Sequence, residues 1–163
     1  MELRILGPLS AAGDDGVAIA LGGPRARAVL AQLALHSNEV VSSDRLIDAV
    51  WGEAPPPSAQ GALQVHVHSL RKALGADRIE TRTPGYVLRL ADGELDAARF
   101  ESLVAAGERL LHSGDSSAAA EVLGDALALW RGPALADLAF EPVAQNGAGR
   151  LEELRLVALE RSF

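Results

Sequence analysis

The 163-residue sequence predicts an α+β N-terminal part, with short strands, three helices and a closing β-hairpin, followed by an all-α part. Three observations carry this. Apolar residues alternate at both ends of residues 1–92, as strands require. Three segments between those ends carry apolar residues at helical spacing. From Asp96 onward the chain turns rich in Ala, Leu and Glu.

Leu3, Ile5, Leu6 and Leu9 suit a first short strand. Gly13-Asp14-Asp15-Gly16 is a turn signal, and Val17, Ile19 and Leu21 alternate as a second strand. Pro24 can open a helix carrying Ala26, Val29, Leu30, Leu33 and Ala34, which ends near His36-Ser37-Asn38. Val40-Val41 is extended. Ser42 or Ser43 then caps a helix with Leu46, Ile47 and Val50, ending at Trp51-Gly52. Glu53-Ala54-Pro55-Pro56-Pro57 cannot be helix interior. Ser58 can cap a third helix that runs to Leu74 and stops at Gly75. Residues 78–81 and 86–90 read as strands joined by Arg82-Thr83-Pro84-Gly85.

Asp92-Gly93 marks the expected boundary between domains 1–92 and 93–163. Beyond it, one helix carries Phe100, Leu103, Val104, Leu110 and Leu111 to Gly114. A second carries Ala119, Val122, Leu123, Ala126, Leu127 and Trp130 to Gly132-Pro133. The pair resembles one tetratricopeptide unit, which needs neighbours to bury its face. A last helix from Gly149 carries Leu151, Leu154, Val157 and Ala158. Its pattern stops in mid-helix, as in a chain truncated within a longer protein.

Charge is unevenly spread. The net charge is −7. Residues 1–93 hold nine basic and ten acidic groups, and residues 94–163 hold six and twelve. Within residues 58–89, Arg71, Lys72, Arg78, Arg82 and Arg89 outnumber Asp77 and Glu80. A basic stretch in an acidic protein suits a compact surface for a polyanion, and also suits an ordinary solvated helix face. The absence of cysteine excludes disulfides, thiol catalysis and cysteine metal sites, and fits a reducing cytosol. No apolar run is long enough for a membrane helix, and the N-terminus lacks a signal-peptide layout. The expectation is a cytoplasmic protein that does not enter membranes.

The helix 58–74 has one apolar stripe, Leu63, Val67, Leu70 and Leu74. At about 100° per residue, Gly61, Val65, His68, Ser69 and Lys72 fall on the opposite face. Gln64 and Arg71 lie on one flank and His66 on the other. Gln pairs with adenine, Val meets a thymine methyl, and Lys or Arg holds phosphate. Gly61 allows close approach to a backbone. On the helix alone, a plain amphipathic surface helix fits as well.

The longer pattern is more specific. Pro56-Pro57-Ser58 through Gly75, with Val65-His66-Val67 and Leu70-Arg71-Lys72-Ala73-Leu74-Gly75, followed by Arg82-Thr83-Pro84-Gly85-Tyr86, resembles the recognition helix and wing of OmpR/PhoB-type winged helix-turn-helix domains. Ser43 through Gly52 resembles the second helix of that family. Asp96-Ala97-Ala98-Arg99-Phe100-Glu101 and Leu127 through Leu135 resemble the bacterial transcriptional activation domain. Together they resemble the Streptomyces antibiotic regulatory proteins and AfsR-like regulators.

That resemblance implies a transcriptional activator, with double-stranded promoter DNA bound at direct repeats, a possible homodimer on DNA, and RNA polymerase with its sigma factor as partner. It implies DNA contacts at Ser58, Gly61, Gln64, Val65, His68, Ser69, Arg71, Lys72, Arg82 and Thr83. It implies a polymerase contact at Gly52, Glu53, Ala54 and Pro55. Ser69 departs from the arginine common at that position, so base preference falls to Gln64, Val65 and His68. Trp51 reads as core.

Two other classes fit the sequence less well. An enzyme lacks support: His66 and His68 lie roughly 200° apart on the helix, and Gly22-Gly23-Pro24-Arg25 leads into no phosphate loop. No cofactor or metal is expected. A helical protein-interaction adaptor without sequence-specific DNA binding leaves the basic stretch 71–89 unexplained.

Overall fold

Pro24 opens the helix at the centre of the N-terminal part, α1 (Pro24–Leu35), in a computed structural model that describes residues 1–162. A first-turn proline costs nothing, because its missing N–H would have no helical partner there. Ala26 and the run from Ala28 to Ala34 are all buried, Gln32 included. Two amphipathic helices pack on α1: α2 (Ser43–Trp51) and α3 (Ala59–Leu74). Ser42 caps α2, its Oγ accepting from the Arg45 N–H at 3.1 Å. α3 buries Ala59, Leu63, Val67 and Leu70 and ends at Gly75, whose φ of 109° suits glycine.

A three-stranded antiparallel sheet completes this part. Its order is β3 (Val41–Ser42), β5 (Gly85–Leu88), β4 (Ile79–Arg82), after β1 (Glu2–Arg4) and β2 (Ser10–Ala12) nearer the N-terminus. Gly85 pairs with Ser42, and a Cβ there would lie 1.9 Å from the Val41 carbonyl oxygen. Only glycine lets β5 approach β3 this closely, which is why the wing closes on Gly85-Tyr86.

Several local expectations need correction. The second strand is Ser10–Ala12, which pairs with β1, and Val17–Leu21 forms no strand. Asp15 accepts the Val17 N–H and tightens the turn, after which Ala18 makes one isolated bridge to Ala12. Ser58 holds the N-cap position of α3, yet its side chain makes no capping bond. The chain enters instead through the Ala59 N–H donating to the Pro56 carbonyl. The hairpin strands are Ile79–Arg82 and Gly85–Leu88, so the turn is only Thr83-Pro84.

The helical part contains α4 (Asp96–His112), α5 (Ser116–Leu127), a 3-10 turn at Ala136–Leu138, α6 (Pro142–Gly147) and α7 (Gly149–Arg161). α4 packs on α5 where Gly107 leaves room for Leu123, a contact that a Cβ would shorten to 2.6 Å. α5 stops at Leu127, so Trp130 lies beyond it, its ring edge-on to Phe100 at 5.3 Å. The 3-10 turn and α6 lack the apolar periodicity that announces a helix and are short, so no expectation covered them.

The seam between the two parts is polar and closely bonded. Leu3 pairs in parallel with Leu95, and its N–H donates to the Glu94 carbonyl at 2.7 Å. Asp96 is buried and accepts the N–H groups of Ile5 (2.8 Å) and Leu6 (3.0 Å). Burial raises the Asp96 carboxyl above its usual range, and these bonds oppose the rise. From the other side, the N–H groups of Arg131 and Leu135 donate to Leu6 and Ile5 carbonyls at 2.8 and 3.0 Å. The run Leu127–Leu135 therefore clasps the backbone of residues 5–8. Asp137 accepts from the Leu9 N–H at 2.7 Å and takes the Arg27 guanidinium of α1 at 2.6 and 2.9 Å.

Candidate nucleic-acid interface

Because Leu63, Val67 and Leu70 turn inward, the residues between them face out. Gly61, Gln64, Val65, His68, Ser69 and Lys72 are exposed, Val65 to 66%. Gln60 joins them one turn before Gln64. Sequence reasoning missed it, although the four-residue spacing was available as a signal. Among the described residues, Gln64, His68, Ser69 and Lys72 make no side-chain hydrogen bond or ion pair, in contrast with Arg71 beside them. Lys72 is the only lysine in the chain. The face thus offers amide, imidazole, hydroxyl and ammonium groups whose hydrogen-bonding capacity is met only by solvent, plus one apolar Val. Gly61 faces open space.

Arg71 is placed differently from the free phosphate ligand that its flank position predicted. It is half-buried, its Nε donates to the Ile79 carbonyl at 2.9 Å, and its Nη2 donates to Thr81 Oγ1 at 2.9 Å. The guanidinium also lies 5.8 Å from the Tyr86 ring centroid. Arg71 therefore joins α3 to both strands of the wing.

At the wing, Arg82 and Thr83 are exposed, as is Ser58 at the opposite end of α3. Arg82 lies 3.8 Å from Glu80, which also accepts from Arg89 at 3.1 Å. Both partners are well exposed, so Arg82 is held loosely. At the wing's root, Arg78 donates to Glu94 at 2.8 Å. That guanidinium, then the Ala91 N–H and the N-terminal ammonium, hold the Glu94 carboxyl at about 2.

The α2–α3 loop leaves through Gly52, with φ 60° and ψ −130°, a conformation open to glycine. Glu53, Ala54 and Pro55 are exposed. Trp51 is half-buried rather than fully in the core, with Arg25 5.9 Å from its ring centroid and the His66 ring 6.2 Å away. Burial first, and Arg25 second, push the His66 pKa below its ordinary value, so His66 is neutral near pH 7 and no phosphate ligand. Among the described residues no cluster of three His, Cys, Asp or Glu could hold a metal, and no helix is long and apolar enough to cross a membrane.

Comparison with known proteins agrees with this architecture. Residues 18–88 match the family "Transcriptional regulatory protein, C terminal", and residues 95–163 match "Bacterial transcriptional activator domain". The chain is 41% identical over 161 residues to the regulatory protein AfsR of Streptomyces coelicolor, covering 98% of this chain and 16% of AfsR. It is 38% identical to the transcriptional regulatory protein EmbR of Mycobacterium tuberculosis over 97% of this chain and 42% of EmbR. It is 36% identical to the transcriptional regulator RedD of S. coelicolor over 98% of this chain and 47% of RedD. The chain thus spans less than half the length of these relatives. The solved structure of M. tuberculosis EmbR, in complex with a low-affinity phosphopeptide, superposes with a TM-score of 0.90 at 35% identity, over 96% of this chain and 43% of that one. The order of wing-bearing and helical parts, the two family matches and these relatives agree: the chain belongs to the AfsR-like regulators of the Streptomyces antibiotic regulatory protein family.

Proposed function

We propose that this chain is a sequence-specific activator that binds double-stranded promoter DNA with α3 and the β4–β5 wing, and recruits RNA polymerase. The observation that carries the reading is the outer face of α3. Among the described residues, Gln64, His68, Ser69 and Lys72 have no side-chain partners, whereas Asp96, Asp137 and Arg27 at the seam are closely paired. Gln64, Val65 and His68 are the base-reading groups. Lys72, Ser58, Ser69, Arg82 and Thr83 face phosphate or the minor groove, and Arg71 serves the DNA contact by holding the wing against α3. Gly61 lets a phosphate chain come close. Gly52, Glu53, Ala54 and Pro55 meet polymerase and its sigma factor. Two protomers occupy direct repeats upstream of a secondary-metabolite gene cluster, in the cytoplasm at the nucleoid. The functional units are 1–92 and 93–163, and no cofactor takes part.

The test is a gel-shift titration on the duplex upstream of its own gene cluster at several salt concentrations. Binding that weakens linearly on a log–log plot is expected, with Lys72→Ala lowering the slope by about 0.9. Bound DNA also shields Lys72 from an amine-acetylating reagent. No salt-dependent binding to any duplex, with Lys72 equally reactive throughout, removes the proposal.

A further inference from the structure

Gln32 on α1 is only 8% exposed, yet among the described residues its side-chain amide makes no hydrogen bond within the chain. The amide is not sealed in the core, because among those residues Trp130 Nε1 is the only side-chain polar atom that is both sealed and unpartnered. Gln32 instead forms the floor of a cleft of about 240 Å³, where α6 lies against α1 and α2. A nearly buried amide with unspent donors and acceptor costs stability that a leucine of similar size would not. Its use therefore lies in the cleft.

The walls carry one cation and one anion. Arg45 and Asp48 stand three residues apart on α2 and both border the cleft, but among the described residues neither forms an ion pair. Arg45 Nη2 lies 3.2 Å from His36 Nε2, which accepts from it. Burial first, and Arg45 second, push the His36 pKa below its ordinary value, so the imidazole adds no charge near pH 7. Glu39 and Arg150, the other charges that act on His36, line a different cleft. Asn146 on α6 supplies a second unbonded amide, and Ala49 and Val143 an apolar wall. We propose that this cleft binds a small zwitterion, an α-amino acid with an uncharged side chain, its carboxylate on Arg45, its ammonium on Asp48 and Gln32 beneath it. A phosphate or dicarboxylate would bring surplus negative charge beside Asp48, whereas a zwitterion matches both walls. The cleft is smaller than the roughly 300 Å³ at which drug-sized sites begin, so its occupant is of amino-acid size. Because α1 and α2 belong to the N-terminal part and α6 to the helical part, the occupant bridges the two. The inference is independent of how α3 meets DNA.

The experiment titrates the ¹⁵N-labelled chain with glycine and the neutral L-amino acids, one at a time, to about 10 mM, enough to detect millimolar binding. At least one should shift the Gln32 side-chain amide resonances and raise the melting temperature with concentration. The matching α-hydroxy acid, which lacks the ammonium, should bind about tenfold more weakly. Asp48→Asn should remove that preference. Gln32→Leu should melt no lower than the wild type, because it removes an unpartnered amide, and should weaken binding about tenfold. Arg45→Met, at an exposed position, should weaken it as much and decides the matter if Gln32→Leu fails to fold. No shift of the Gln32 resonances by any amino acid overturns the proposal, since water alone then meets the amide. So does inorganic phosphate binding more tightly than every amino acid, or wild-type affinity in either Gln32→Leu or Arg45→Met.

Discussion

At the seam between the N-terminal and helical parts, Arg27, Asp96 and Asp137 spend their polar atoms on partners within the chain. On the outer face of α3, Gln64, His68, Ser69 and Lys72 spend none among the described residues. Both surfaces are polar, but the physical logic is opposite. A buried polar group without a partner costs stability, so the seam must be satisfied. An exposed group bonded to water keeps its capacity for a ligand. Seam variants should therefore move stability and leave duplex chemistry alone, and variants on the α3 face should do the reverse.

The largest effect is expected from Asp96→Ala. It strands the buried N–H groups of Ile5 and Leu6, and should cost about 2–5 kcal/mol in denaturant unfolding. Wild-type stability in that variant would mean that the seam is not what holds the parts together. Next is Arg71, which stands on the border of the two surfaces. If it acts by joining α3 to the wing, Arg71→Lys should lose duplex affinity on the order of tenfold, as Arg71→Ala does, with the salt slope unchanged. A lysine that restores affinity would move Arg71 to the phosphate-holding class beside Lys72.

Acid stability offers a third test. Folding holds the Glu94 carboxyl at about 2 against an ordinary 4.5. Its contribution is complete above pH 4.5 and is lost as pH falls through about 2. Glu94→Gln should flatten that stretch of the stability–pH curve, and a curve unchanged in shape would contradict the Arg78–Glu94 link. The smallest effect belongs to Gly61, which has open space at its Cβ position. Gly61→Ala should gain about 0.5–1 kcal/mol in stability while weakening duplex binding, because the added methyl stands where a phosphate chain approaches. A gain in both would mean that α3 keeps its distance from the DNA at that point.

The outward face of α3 was legible in the sequence because 3.6-residue periodicity alone sets it, and Gln64, Val65, His68, Ser69 and Lys72 are exposed as that periodicity requires. Arg71 illustrates the limit. Its flank position was legible, but its bonds to Ile79 and Thr81 depend on how the hairpin docks, which no local spacing encodes. The second strand was misplaced for a related reason. Val17, Ile19 and Leu21 alternate as well as any strand, whereas Ser10-Ala11-Ala12 carries little apolar signal and pairs because the chain returns beside Leu3. The run Leu127–Leu135 was recognisable as a motif, and its work of holding the backbone of residues 5–8 emerges only in three dimensions.

The clasp on residues 3–9 has a consequence for synthesis. The segment Leu3–Leu9 finds its bonding partners in Leu95, Asp96, Arg131, Leu135 and Asp137, all made much later in synthesis. α1, α2, α3 and the wing can assemble while the amino-terminal strand waits, and closing the clasp is then a late step spanning well over a hundred residues of chain, as the Leu9–Asp137 bond does. A gene chimera cut at residue 92 would separate that strand from its holder. A graft that exchanges the DNA-reading part therefore has to leave residues 1–12 with the helical part that grips them.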